Sequence, residues 1–278
     1  MDDRWVLITG CSTGIGRALV SEARKNDWCV VATARRLEAL GDLPEDENLR
    51  CLELDVTDAQ SIAKTVEACR DLHLVALINN AGYGQMGPLE YLRPEDLRAQ
   101  LETNVVGLHA VTLAFLPLIR QRALPSEGRV IHIASVLGRL SAPLAGAYNA
   151  SKHAVVALGE TLRLELAPDI HVILVEPGAV RTEFRENIMK AWGDLPERVE
   201  GTSYERFVRS YMDRGRAWRE KGGVSADDCA RKIIRALGSK HPPRRLVIGK
   251  DAFWGLKLKT LVPAALWEWL LRRAYRIG

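Results

Sequence analysis

The sequence predicts a single α/β domain built on a doubly wound parallel sheet with helices on both faces. Short apolar, β-branched runs recur along the chain, and longer stretches with helical spacing lie between them. Strands and helices alternate in this way when helices cover both faces of a parallel sheet. No Pro-, Gly- or Ser-rich linker divides the 278 residues, of which 47% are apolar and 27% charged. We therefore treat residues 1–278 as one domain.

Seven of the apolar runs are predicted to be buried strands because they are short and bounded by polar or turn-forming residues. They cover residues 5–9, 29–34, 49–54, 74–79, 129–134, 171–175 and 245–248. Helical spacing covers residues 16–26, 58–71, 94–122 and 148–166. A polar, charged insertion at 181–223 follows the sixth strand, where open parallel sheets bind ligands. We interpret this insertion as a substrate lid; the alternative is a surface excursion without a role.

Charge and cysteine content limit the classes of partner. The net charge of +4 comes from Lys and Arg scattered among Asp and Glu, which is not a nucleic-acid-binding pattern. The five cysteines form no C-x-x-C pair and show no metal-ligand spacing, so we expect no metal site and a reducing compartment. Neither a signal peptide nor an uninterrupted apolar run of about 18 residues is evident. We expect a cytoplasmic protein.

A glycine-rich turn links the first strand to the first helix. Gly10, Gly14 and Gly16 stand in the run T-G-C-S-T-G-I-G, where Ser12 and Thr13 add hydroxyl groups. Such a turn lets the backbone approach a pyrophosphate, whose charge the helix N-terminus favours. The turn predicts a dinucleotide site, although glycines also simply terminate strands.

The second strand ends in Arg35 and Arg36 rather than in an acidic residue. An acid at this position hydrogen-bonds the ribose 2′-hydroxyl of NAD, whereas an arginine accommodates the 2′-phosphate of NADP. Guanidinium groups suit phosphate oxygens geometrically. The pattern favours NADP(H); the alternative is that both arginines only solvate a strand end.

Three further residues suggest proton-transfer chemistry. Tyr148 and Lys152 are four positions apart in a predicted helix and therefore share one face. A phenol with a pKa of about 10 is a poor base at neutral pH, and a nearby ammonium group favours its ionised form. Ser135 follows the fifth strand at the same edge of the sheet. Taken singly, each residue is also compatible with a helix surface or a turn.

Together these motifs resemble the short-chain dehydrogenase/reductase family along most of the chain, most closely its hydroxysteroid- and retinol dehydrogenase-like members. The matching residues also include Asp55, Asn79–Gly82, Asn104, Pro177-Gly178 and Thr182. The resemblance implies a Rossmann-type fold. It also implies a catalytic set in which Tyr148 is the general acid/base, Lys152 its electrostatic partner, Ser135 the anchor of the substrate oxygen and Asn104 the holder of a relay water.

The resemblance further implies which residues bind the cofactor. Asp55 would contact the adenine, and Val180 and Thr182 would position the nicotinamide amide. The full set is Gly10, Ser12, Thr13, Gly14, Ile15, Gly16, Arg35, Asp55, Asn80, Ala81, Gly82, Tyr148, Lys152, Pro177, Gly178, Val180 and Thr182.

The activity that follows is NADP(H)-dependent hydride transfer between the nicotinamide and an alcohol or carbonyl carbon. The resemblance points to a bulky, apolar small-molecule substrate and to a homo-oligomer, and the preference for NADPH favours reduction. The alternative is a non-catalytic NADP(H)-binding redox sensor or scaffold, since a fold alone does not determine function.

The C-terminal segment, residues 252–278, combines Trp and Leu with Lys and Arg. A basic, Trp-bearing amphipathic stretch is typical of helices that lie on an anionic membrane surface. The alternative, and the commoner arrangement of a terminal helix, is packing across the substrate pocket or against another subunit. We assign no catalytic role to two other residues. We expect His132 to be a strand residue whose hydrogen-bonding groups are paired, and Cys11 to fill space in the glycine turn.

Overall fold

The computed structural model describes residues 4–209, 211 and 223–275 of the chain. Parts of the predicted lid and of the predicted C-terminal segment, at 210, 212–222 and 276–278, lie outside the described residues. The strands are β1 (Trp5–Ile8), β2 (Cys29–Ala34), β3 (Leu49–Glu53), β4 (Leu74–Asn79), β5 (Gly128–Ile133), β6 (Ile170–Pro177), β7 (Val180–Arg181), β8 (Val224–Ser225) and β9 (Arg245–Ile248).

The α-helices in the described residues alternate with these strands. They are α1 (Gly14–Arg24), α2 (Ala59–Ala68), α3 (Pro94–Leu101), α4 (Leu108–Arg122), α5 (Gly146–Leu166), α6 (Phe184–Trp192), α7 (Leu195–Arg198), α8 (Ala226–Leu237), α9 (Lys250–Leu261) and α10 (Ala264–Tyr275).

Seven strands form one parallel sheet in the order β3-β2-β1-β4-β5-β6-β9, which confirms the predicted doubly wound architecture. Every residue of β1, β2, β4 and β5 is buried. This explains why these strands appear in the sequence as continuous apolar runs rather than as alternating patterns.

Helices bury the two faces of the sheet separately. On one face, Val6 and Ile8 of β1 join a core that includes Leu19 of α1 and Ile233 of α8. On the other face, Leu7 packs in a second core with residues of α4, such as Phe115 and Ile119. Successive side chains of β1 therefore alternate between two cores, as the pleat of a strand requires.

The strand order reverses between β1 and β4, because β2 lies on one side of β1 and β4 on the other. A crevice forms at such a switch point, outside the carboxyl ends of the strands. The glycine turn follows β1 here, and Asn80, Ser135 and Gly178 follow β4, β5 and β6. The topology therefore brings the predicted motifs to one edge of the sheet.

The run Pro94–Arg122 was predicted as one helix but is interrupted by a π-helical segment, Glu102–Gly107, which contains Asn104. By length and composition this run is the one helix among the described residues that is long and apolar enough to cross a membrane. Phe115 and Ile119 in its second half are fully buried against the sheet. We therefore assign the run to the core.

The predicted lid region contains regular structure. Helices α6 and α7 lie within it, and a two-stranded parallel pairing of β7 with β8 closes its base. Ile188, Trp192 and Leu195 are buried in a separate apolar cluster with Val199 and Val208. The described part of this insertion is thus a folded part of the domain with a small apolar core of its own.

Candidate active site

A cleft of about 650 Å³ lies at the carboxyl edge of the sheet. All seventeen residues predicted to bind the cofactor line it, together with Ser135. Twelve further lining residues were not predicted: Ala34, Leu54, Val56, Thr57, Tyr83, Thr103, Ile133, Ala134, Phe184, Asn187, Lys190 and Ala191. The sequence motifs, spread over more than 170 positions, therefore converge on a single cavity.

The glycine turn is shaped by close backbone contacts. Gly10 and Gly14 have φ values of 71° and 58°, a region that favours glycine. A Cβ atom on Gly16 would lie 2.1 Å from the carbonyl oxygen of Gly10, so no other residue fits without a shift. Asn80 fixes the turn, because its Nδ2 donates to the carbonyl oxygens of Thr9 at 2.9 Å and of Gly10 at 3.0 Å.

Helix α1 presents its N-terminus to the cleft. Its N-cap residue, Thr13, makes no side-chain cap hydrogen bond, and Gly14, Ile15 and Gly16 of the first turn line the cavity. Backbone N–H groups at a helix start, together with the helix dipole, favour an anion. A pyrophosphate fits this cradle because the glycines leave no side chain in its way.

Arg35 and Asp55 line the cleft after β2 and β3. Arg35 is exposed, and in the described part of the chain it makes no hydrogen bond or ion pair. Arg36 does not line the cavity. Asp55 is oriented locally, because its Oδ1 accepts hydrogen bonds from the backbone N–H and the hydroxyl of Thr57, at 2.9 and 2.7 Å. Arg35 is therefore the cation available to a phosphate at this end.

Ser135 and Tyr148 meet at the other end of the cleft. Both side chains line the cleft, and Ser135 Oγ accepts the N–H of Leu137 at 3.1 Å. Burial raises the pKa of Tyr148 to about 12, and the neighbouring Ser135 hydroxyl opposes this rise. The phenol is therefore protonated at neutral pH, as a proton donor must be.

Lys152 is buried one helical turn after Tyr148. Its Nζ donates to the carbonyl oxygen of Ile133 at 2.8 Å and lies 5.7 Å from the centre of the Tyr148 ring. Burial lowers the pKa of Lys152 to about 8, because a charged ammonium group is disfavoured away from water. The tuning of Tyr148 by Lys152 stays a prediction.

Asn104 lies next to the cleft without lining it. Its Nδ2 donates to the carbonyl oxygen of Tyr83 at 3.0 Å and to Ser151 Oγ at 3.1 Å, while its Oδ1 accepts the Tyr83 N–H at 3.1 Å. The π-helical segment turns this side chain towards the strand-end loop that carries Gly82. Its proposed hold on a relay water stays a prediction.

Cys11 and His132, which lie close to the motifs in the sequence, are both uncharged at neutral pH. Cys11 is fully buried, and burial raises its pKa to about 12, so its thiol stays protonated. Burial lowers the pKa of His132 to about 3, and its ring is hydrogen-bonded to Asn79 at 3.2 Å. These environments agree with a cysteine that fills space in the turn and a strand histidine whose ring is hydrogen-bonded.

Helix α6 contributes four of the lining residues that sequence reasoning missed. Phe184, Asn187, Lys190 and Ala191 line the cleft from one face, whereas Ile188 and Trp192 are buried on another. The Phe184 ring lies 5.6 Å from the Tyr148 ring. The three-to-four-residue spacing within 184–192 was a detectable signal, but it matches no motif.

Comparisons with known proteins agree with this geometry. A family model described as "short chain dehydrogenase" matches residues 4–192. Mouse retinol dehydrogenase 5 is 33% identical over 98% of this chain and 90% of its own length, and bovine 17-beta-hydroxysteroid dehydrogenase type 6 is 31% identical over 99% and 90%. A short-chain dehydrogenase structure from Streptomyces avermitilis is 29% identical, covers 99% of both chains and has a TM-score of 0.75. The chain therefore belongs to the short-chain dehydrogenase/reductase family, the NAD(P)-dependent oxidoreductases that interconvert alcohols and carbonyls.

Proposed function

We propose that this protein is an NADP(H)-dependent reductase of a bulky, apolar carbonyl compound, with Tyr148 as the proton donor. The observation that carries the proposal is the convergence of Ser135, Tyr148 and Lys152 on the cleft that the glycine turn also lines. Proton donor, oxygen anchor and dinucleotide cradle thus share one cavity, which is what hydride transfer with protonation requires.

The residues of the cleft match the parts of a nicotinamide dinucleotide. The glycine turn and the start of α1 would hold the pyrophosphate, and Asp55 would face the adenine end. The turn at Gly178 and Val180, with Thr182, would hold the nicotinamide end. When bound, the reduced cofactor supplies a hydride to the carbonyl carbon.

The Tyr148 and Ser135 side chains would supply the proton and stabilise the negative charge that develops on the carbonyl oxygen. As the carbonyl oxygen gains negative charge, the Tyr148 hydroxyl donates its proton to it, and the Ser135 hydroxyl donates a hydrogen bond. The Leu137 N–H already binds Ser135 Oγ, which leaves the serine proton free to point into the cleft. Lys152 would bind the ribose from the cleft floor, and the reverse sequence would oxidise an alcohol.

Arg35 supports the preference for NADP(H). Its side chain lines the cleft at the end of β2, where Ala34 stands in place of an acid that would bind a ribose hydroxyl. Since Arg35 has no partner in the described chain, its guanidinium is available for the 2′-phosphate. NADPH is typically the reducing cofactor, so this preference also supports reduction.

The substrate end of the cleft supports an apolar ligand. Phe184 packs beside Tyr148, and the lid behind it is held by an apolar cluster that includes Ile188 and Trp192. A substrate seated against Tyr148 would therefore meet hydrocarbon surface. The retinol and hydroxysteroid dehydrogenases to which the chain is similar are named for substrates of this character.

We further propose a cytoplasmic homo-oligomer. All five cysteines are free, which suits a reducing compartment. Val106, Leu113 and Leu164, on the segments around α4 and α5, are exposed by 50%, 53% and 81%. Burial of such side chains between subunits would remove apolar surface from water.

The proposal is tested first by fluorescence titration with NADPH and NADH, followed by a screen of carbonyl and alcohol substrates with the tighter cofactor. Arg35→Ala should weaken NADPH binding about tenfold or more, the value of a lost charge-assisted contact, and leave NADH binding unchanged. Arg36→Ala is the matched control. Equal binding of both cofactors by the wild type would contradict the cofactor assignment, and binding without any turnover would favour a redox sensor or scaffold.

A further inference from the structure

The C-terminal segment described here, residues 250–275, consists of α9 and α10 and has an unusual surface. The inner side of α9 packs on the domain through buried Ala252 and Leu256. Its opposite side carries Trp254, Leu258 and Leu261, spaced four and three residues apart and exposed by 64%, 43% and 79%. Helix α9 is therefore apolar on both sides, and its outer side faces solvent.

Helix α10 continues this exposed apolar surface. None of its described residues is buried, and Leu266 and Trp269 are exposed by 44% and 53%. Six of the thirteen large apolar side chains that are exposed in the described chain lie within residues 250–275. That concentration in about a tenth of the described residues indicates a binding surface rather than scattered surface residues.

The same segment is basic. Residues 250–275 contain five basic and two acidic residues, an excess of three in a chain whose formal charge is +4. The cations flank the exposed rings: Lys257 Nζ lies 4.8 Å from the Phe253 ring centre, and the Arg273 guanidinium lies 5.6 Å from that of Trp269. One of the two acids, Asp251, points inward, where it accepts the N–H of Ala179 at 2.9 Å.

We propose that this outward surface of α9 and α10 docks onto an anionic lipid bilayer. Trp and Leu enter the interfacial region of a bilayer, while Lys and Arg extend to the anionic headgroups. A second copy of the chain would match the apolar residues but would bring two cationic segments together. Charge complementarity therefore selects the bilayer as the occupant.

The outward surface of α9 and α10 is connected to the active-site cleft through the inner side of α9. The inner side of α9 braces two loops of the active site: Asp251 binds the turn after Gly178, and Lys259 Nζ donates to the carbonyl oxygen of Arg139, four residues after Ser135. A docked protein would thus hold the substrate end of the cleft near the membrane, from which an apolar substrate can enter. This last step rests on the proposed apolar substrate; docking itself does not.

The experiment is co-sedimentation of the full chain with vesicles of phosphatidylcholine alone or with added phosphatidylserine. Wild type should bind the phosphatidylserine vesicles, and raised salt should weaken binding. Arg272→Gln with Arg273→Gln should weaken binding about thirtyfold, from the usual contribution of two cations. Trp254→Ser with Trp269→Ser should weaken it about tenfold or more. Leu124→Ser, a change at an exposed leucine after α4, should have no effect.

Absence of binding to phosphatidylserine vesicles, or unchanged binding of both double variants, would overturn the proposal. It would also be overturned if light scattering showed that the tryptophan variant loses self-association while vesicle binding stays the same, because the surface would then be a subunit contact. Reduction of a water-soluble carbonyl by NADPH should be equal in all variants. This readout separates a failure of docking from a failure of the proposed activity.

Discussion

Replacing Lys152 by methionine should stabilise the protein at pH 7 while destroying the proposed catalytic set. The ammonium group is fully buried, and Ile133 supplies its hydrogen-bond acceptor at 2.8 Å. Burial lowers its pKa from 10.5 to about 8, which means that the folded state binds the Lys152 proton less tightly than the unfolded state does. Methionine has a similar shape and no charge to desolvate.

The sign and size of the effect follow from linkage. Below pH 8 the residue is protonated in both states, and the folded state is penalised by about 3 kcal/mol, since each pKa unit corresponds to about 1.4 kcal/mol. Between pH 8 and 10.5 the folded state has released the proton and the unfolded state has not, so wild-type stability rises with pH. At pH 10 the penalty falls to about 1 kcal/mol. Loss of the hydrogen bond to Ile133 offsets about 1 kcal/mol of the gain at every pH.

The assay is urea unfolding of wild type and Lys152→Met at pH 7 and pH 10. Both are placed in a Tyr148→Phe background, so that the phenol does not titrate in the same range. The stability advantage of the methionine variant should shrink by about 2.5 kcal/mol between the two pH values. Lys64→Met, at an exposed position of α2, is the matched control. If the two proteins differed in free energy of unfolding by the same amount at pH 7 and at pH 10, the assignment of a desolvated ammonium group at Lys152 would be refuted.

Three further predictions concern the surroundings of the site. Gly16→Ala should reduce NADPH affinity at least about tenfold in the fluorescence titration, because its methyl group displaces the glycine turn; unchanged affinity would contradict the close approach. Asp251→Ala should lower the free energy of unfolding by about 1 kcal/mol and raise the KM for NADPH more than it changes kcat, because the Ala179 N–H loses its acceptor, whereas Asp251→Asn should behave nearly as wild type. Alkylation at pH 7.5 mapped by mass spectrometry should modify Cys51 before the buried Cys11, and the reverse order would disprove the inert thiol.

The sheet was predictable because its strands are buried on both faces. Each strand therefore shows in the sequence as a short apolar run, and the motifs at the strand ends could be assigned to one edge of the sheet. Even the edge strand β3, which is largely half-buried, was recognised from its flanking residues. Seven strands and eighteen of the residues that line the cleft were located in this way.

The remaining features depend on packing that leaves no local pattern. The π-helical turn at Asn104 lies within an unbroken helical sequence, and its hydrogen bond with the Tyr83 N–H joins positions 21 residues apart. The two-residue strands β7 and β8 are too short to show periodicity. The contact of Asp251 with Ala179 joins positions 72 residues apart, so the link between the C-terminal segment and the cleft became evident in three dimensions alone.

The central claim is that a hydride passes from the nicotinamide to a carbonyl carbon while Tyr148 supplies the proton. It is tested most directly with NADPH deuterated at the transferable C4 position and a carbonyl substrate found in the screen. The account predicts alcohol product with one deuterium on the former carbonyl carbon, and a Tyr148→Phe variant that binds NADPH normally but forms product at least about a hundredfold more slowly. Product without deuterium at that carbon, or a Tyr148→Phe variant with wild-type rates, would contradict it.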